Sequence, residues 1–165
     1  MPILANNSMV LTASDMAAAV GVTYQHVDRL TRVGLITCSY DHPDAVMRRY
    51  TSYDVLVLMI VQRLLNAGFN YPTVRNMMSS VVDVLHDYDS APDDQPTMLL
   101  HDGQQSWLSS DADEVHACAV AGVGVMVLPL SELIATTEQI MTAAQHNDAP
   151  VDELAQRRAQ KQRSA

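Results

Sequence analysis

A chain of 165 residues can hold one medium domain or two small ones, with a real apolar core in either case. With 48% hydrophobic residues and no apolar run long enough to span a bilayer, the composition is that of a soluble globular protein and excludes a membrane-spanning one. The net charge of -9 argues at first sight against nucleic acid, yet it is unevenly placed: residues 1–80 carry +1, residues 81–150 carry -12 with no Lys or Arg, and residues 151–165 carry +2.

The opening MPILANNSMV lacks the basic and then apolar pattern of a secretory signal and reads as a short arm, residues 1–10. Two lone cysteines, Cys38 and Cys118, fit a reducing cytoplasm better than a disulfide framework. Thr12-Ala-Ser-Asp15 has the form of a capping box and starts an Ala-rich helix that Gly21 ends. Thr23 caps a second helix running to about Val33, where Gly34 ends it. Two short helices around a Gly-containing turn are the helix-turn-helix pattern, which many helical cores also contain.

Leu35-Ile36 leads through the turn-rich SYDHPDAV into Met47-Arg48-Arg49-Tyr50, and apolar ends around such a middle predict a hairpin, or wing. Thr51 to Asp54 repeats the capping-box form and starts an almost wholly apolar helix to Asn66, ended by Gly68. Asn70 caps a fourth helix with Pro72 in its first turn. There Val74, Met77, Met78, Val81, Val82 and Leu85 form a core-facing stripe.

Residues 87–96 read as a linker rich in Asp and Pro. Residues 97–146 follow as a small α+β domain of order ββαβα. Its hairpin turns at Asp102-Gly103, its first helix is capped around Ser110 to Asp113, and Val123 to Leu128 is a buried-strand candidate. Leu130, Leu133, Ile134, Thr137, Ile140 and Met141 line one face of the last helix, and residues 147–165 form a polar tail with a basic end. The fold class expected is therefore mainly α: an N-terminal winged helix-turn-helix of four helices plus a β-hairpin over residues 11–86, then the small α+β domain.

Residues 11–78 resemble the winged helix-turn-helix of the MerR family of transcriptional regulators. The resemblance rests on LTASDMAAAVGVT, the second helix ending RVGLI, RRYTSYDV, and LLNAGFNYPTVRNMM at matching spacings. The Tyr24-Gln25 pair after Thr23 resembles a branch common in actinobacteria and their phages. On the second helix Thr23, Tyr24, Gln25, His26 and Arg29 occupy the turns that enter a major groove. Gln25 can pair bidentately with adenine and Arg29 with guanine, while Thr23 and Tyr24 suit phosphate or a thymine methyl. The bland alternative is a row of solvated polar side chains.

The resemblance implies that Arg48, Arg49 and Tyr50 contact the DNA backbone; the residue reading also allows one Arg to pair with Asp54 or Asp44. It implies too that the turn at Asn70, Tyr71, Pro72 and Thr73 is a second wing presenting a helix N-terminus to phosphate, with Arg75 assisting. Arg32 and Arg63 read as solvated or paired within the fold. Where several relatives carry a basic residue, this chain has Asp28.

A few Arg contacts per chain give modest affinity, so a homodimer is expected on double-stranded DNA. The family's usual dimeriser is a long coiled-coil helix after the winged domain. Helix 72–86 is too short for that, so pairing falls to the ββαβα segment or its last helix. The acidic segment is either a surface kept off DNA by repulsion or a face for a basic protein partner. No catalytic motif, cofactor loop or metal-ligand spacing is present; His101, His116 and Cys118 are the nearest approach, with the last two pointing apart on a helix. The function expected is sequence-specific transcriptional regulation rather than catalysis. The alternatives are a phage repressor or excision factor built on the same module, and a protein-interaction adaptor that no longer holds DNA.

Overall fold

The computed structural model describes residues 10–38, 48–88 and 96–147. Its first elements are β1 (Leu11–Thr12) and α1 (Ala13–Val20). The Thr12 hydroxyl accepts from the Asp15 amide at 3.2 Å, and the Asp15 carboxylate accepts from the Thr12 amide at 3.2 Å, closing the capping box. Next, α2 (Tyr24–Arg32) is capped by Thr23, whose hydroxyl accepts from the His26 amide at 3.2 Å. At its far end the Gly34 amide reaches the Thr31 carbonyl and the Leu35 amide reaches the Leu30 carbonyl, a Schellman turn with Gly34 at φ +72°. Met16 and Ala17 of α1 and Val27 and Leu30 of α2 are buried, so the two helices share one apolar seam.

That Schellman turn alters the expected hairpin. Leu35 and Ile36 are buried but form no strand, and the Leu35 amide is already spent on α2. Strand β2 (Arg49–Tyr50) pairs instead with β1, antiparallel, with Leu11 opposite Tyr50 and Thr12 opposite Arg49. The turn residues Asp41, Pro43 and Asp44, and Met47 with them, lie outside the described residues, as do the arm before Val10, most of the linker and the basic tail.

Helix α3 (Ser52–Asn66) is the centre of the molecule. Its cap repeats the box of α1, with the Thr51 amide donating to the Asp54 carboxylate at 2.7 Å inside the core. Val55, Leu56, Val57, Leu58, Ile60, Val61 and Leu64 are all buried, and a helix apolar all round must be covered all round. One side is covered by α4 (Tyr71–Tyr88), whose Val74, Met77, Met78, Val81 and Leu85 face inward as the spacing predicts. Val82 departs from that stripe and is exposed.

The other side is covered from the second half of the chain. Strands β3 (Met98–His101) and β4 (Ser106–Ser109) form a hairpin, α5 (Ala112–Val120) follows, then β5 (Met126–Pro129) and α6 (Leu130–Asn147). The three strands form one antiparallel sheet of order β4-β3-β5. At the hairpin tip Asp102 accepts from the amides of Gln105 (2.8 Å) and Gln104 (2.9 Å), which lower its carboxyl below its ordinary pKa. Helix α6 lies along α3 and touches α1, burying Leu130, Leu133, Thr137 and Met141. Arg63 and Glu132 close the edge of that contact at 2.6 Å. A single apolar cluster thus runs from Leu11 to Met141. Among the described residues no helix is long and apolar enough to cross a membrane.

Candidate nucleic-acid interface

The site is built on the polar half of α2. Burial of Val27 and Leu30 turns Tyr24, Gln25 and Arg29 outward, and Tyr24 is 54% exposed. Thr23 sits at the helix start with its side chain committed to the cap. His26 is half-buried and turned inward: its Nε2 lies 2.9 Å from Gln62 Oε1 on α3. It ties the outer helix to the central one rather than joining the outward row.

Helix α4 meets α2 from the side. The Arg29 guanidinium lies over the Tyr71 ring, 4.7 Å from its centroid, a contact that orients the cation without neutralising it. Arg75 donates to the Val33 carbonyl at the end of α2, and a Cβ on Gly34 would crowd that same guanidinium at 3.1 Å. Arg75 therefore caps α2 and locks α4 against it. At the start of α4, Asn70 Oδ1 accepts from the Thr73 amide at 3.0 Å, and Pro72 has no amide to offer. The second-wing turn is present in form, but few of its N–H groups remain for an anion.

From the other flank comes the strand segment. Arg48 precedes β2 and lines a cleft of about 530 Å³ with Ser14, Tyr24 and Asp28. Arg49 lines a different groove, of about 750 Å³, between α1 and α6. The alternation of a strand separates these two neighbours. Tyr50, expected at the DNA backbone, is fully buried with its hydroxyl 3.1 Å from Thr31 Oγ1, so it braces β2 against α2 from inside. The Cys38 thiol donates to the Arg49 carbonyl at 2.7 Å and anchors the same segment.

Asp28, the acid that stands beside the groove where several relatives carry a basic residue and that weighs against tight binding by one chain, has two partners here. Its carboxylate holds Arg32 at 2.8 Å and Arg48 at 3.2 Å. The first pair is an i,i+4 spacing and was open to reading; the second joins residues twenty apart. Away from this face, His101 is buried with Nδ1 3.0 Å from Ser106 Oγ, and Trp107 donates to Glu114 at 2.8 Å. Among the described residues no three His, Cys, Asp or Glu side chains gather where a metal could sit.

Two short helices at a tight turn, the second outward-facing, flanked by a strand pair and a further helix start, define a helix-turn-helix module of the DNA-reading class. Residues 11–81 match the MerR HTH family of regulatory proteins, and this part of the chain is a MerR-type helix-turn-helix domain. A helix-turn-helix domain of this family suggests DNA binding and transcription regulation. A search of curated proteins finds no match to the chain.

Proposed function

We propose that the chain is a sequence-specific regulator of transcription that binds duplex DNA as a homodimer. The observation that carries the reading is the convergence on one face of Tyr24, Gln25 and Arg29 from α2, Arg48 from the β2 side and Tyr71 from α4. In this reading Gln25 and Arg29 read base edges, Tyr24 and Thr23 meet phosphate or a thymine methyl, and Arg48 meets phosphate. Tyr71 aims Arg29, while His26, Tyr50 and Arg75 hold α2 at its angle. Arg49 serves the groove beside α6 rather than the duplex.

The dimer surface follows from what is already used. Helix α6 spends its apolar face on α3 and α1, so it is not free for a second chain. Helix α5 buries no residue, and Val120 at its end and Val123 and Val127 after it are exposed at 75%, 44% and 38%. Residues 117–130 carry no charged side chain, within a half that is otherwise strongly acidic. This is where two acidic copies can meet without setting like charges against each other, and the outer edge of β5 offers backbone groups for pairing.

The test is a mobility-shift titration of fragments from upstream of the protein's own gene, at about 50 mM and about 200 mM salt. Binding that weakens with salt is expected. Arg48→Gln should weaken it on all sequences and lower the salt slope by about 1, whereas Gln25→Ala should relax preference at one base pair. Absence of any shift at the lower salt sinks the regulator reading.

A further inference from the structure

On α2, Tyr24, Asp28 and Arg32 share one stripe; Tyr24 and Asp28 line the cleft facing Arg48, and Arg32 stands one turn beyond Asp28. Both oxygens of Asp28 are engaged: Oδ2 with Arg32 Nη2 at 2.8 Å and Oδ1 with Arg48 Nη1 at 3.2 Å. The Arg32 and Arg48 side chains are 72% and 50% exposed, so solvent and a polyanion can both reach them. The second acid of the cleft, Asp15, is held by Thr12 in the cap of α1 and makes no such pairs among the described residues.

A carboxylate and a phosphate take the same hydrogen bonds from a guanidinium. A duplex that approaches this cleft finds its binding groups already occupied by an anion of the protein. To gain Arg48 or Arg32 it must displace Asp28, which is then left as an uncompensated acid beside phosphate. We propose that Asp28 is a built-in competitor for DNA phosphate, which holds Arg48 and Arg32 in the free protein and lowers the affinity for duplex of any sequence. The inference rests on the DNA-binding reading and adds to it a residue that tunes affinity. It also gives a physical reason why a module with net charge near zero would not adhere indiscriminately to nucleic acid.

The experiment uses the full chain and its Asp28→Asn variant, with a labelled duplex of random sequence, by fluorescence anisotropy at about 50 mM and about 200 mM salt. The variant is expected to bind more tightly, with a log–log salt slope steeper by about 0.9 for each phosphate contact released from competition. Its advantage over the parent should therefore shrink about three- to fourfold per contact between the two salts. Weaker or equal binding overturns the proposal, as does a gain of the same factor at both salts, which a simple change of helix stability would produce.

A second comparison isolates the partners. In an Arg32→Gln, Arg48→Gln background the Asp28→Asn gain should fall away. A gain that persists there undiminished shows a remote charge effect instead of competition for these guanidinium groups, and overturns the proposal. Folding of each variant is checked by its thermal melt. Failure of both parent and variant to bind duplex at the lower salt, with melts unchanged, strikes at the DNA-binding reading itself and is distinct from a variant that merely behaves like its parent.

Discussion

Helices α3 and α5 are both apolar in composition, and the fold treats them in opposite ways. In α3 nine residues are buried, with Leu56, Leu58, Ile60 and Leu64 fully enclosed. In α5 none is buried, and Val120 at its end and Val123 and Val127 after it stay in contact with water. Apolar side chains inside a protein and outside it differ by roughly 1.5–3 kcal/mol each, so the contrast is energetic as well as geometric. It teaches that apolar content alone does not say what a helix packs against. The partners of α3 enclose it within the same chain, whereas α5, held by the Trp107–Glu114 hydrogen bond, has no residue buried by the described part of the chain.

Truncation is the bluntest way to break this comparison. Leu58→Ala should cost about 2–5 kcal/mol of stability, because Leu58 is wholly enclosed at the centre of the cluster that joins both halves. Val120→Ala, on a side chain 75% exposed, should stay within about 0.5 kcal/mol in the monomer. Urea unfolding of both variants at low protein concentration measures the difference. Equal losses would mean that α5 is covered and that the contrast is false.

Association sharpens the same comparison. A charge placed on the exposed face, Val123→Asp with Val127→Asp, should leave the melt of the monomer nearly unchanged and weaken self-association by at least about tenfold. A like-charged, desolvated pair at a two-fold contact costs several kcal/mol. Light scattering across a concentration series checks it. An interface of ordinary size buries about 800 Å² per partner, which α5 and the segment into β5 would have to supply in large part. A dimer that survives both charges lies elsewhere.

Much of the first half was legible because its signals are local. The capping boxes at Thr12 and Thr51, the Gly34 stop and the stripe on α4 each span a few residues, and each appears where spacing placed it, Val82 of the stripe excepted. What escaped was non-local. Strands β1 and β2 are two residues long, and their paired residues are thirty-seven and thirty-nine positions apart, so no periodicity announces them. Tyr50 reads as an exposed wing residue until β1 is laid beside it and its hydroxyl meets Thr31. The inward turn of His26 depends on Gln62, and the separation of Arg48 from Arg49 depends on knowing which face of β2 meets α2. The almost wholly apolar run of α3 is visible in sequence, yet nothing local tells that α6 covers it.

The smallest effect compares how the two helices begin. Thr51 is buried and takes part in a reciprocal cap, with its amide on Asp54 at 2.7 Å and its hydroxyl on the same carboxylate at 3.0 Å. Removing that hydroxyl by Thr51→Ala leaves a buried helix start incompletely satisfied, at a cost of about 1–2 kcal/mol. Asp111 caps α5 by accepting from the Asp113 amide at 2.8 Å, but it is exposed, so water can take its place. Asp111→Ala should cost about 0.5 kcal/mol, near the low end for caps. It should also act locally. Hydrogen exchange should rise in the first turn of α5 while α3 stays protected, whereas Thr51→Ala should lower protection throughout the shared core. If Asp111→Ala loosened α3 as well, α5 would belong to the same cooperative unit as the core, and its exposed face would have to be explained by something other than an absent second copy.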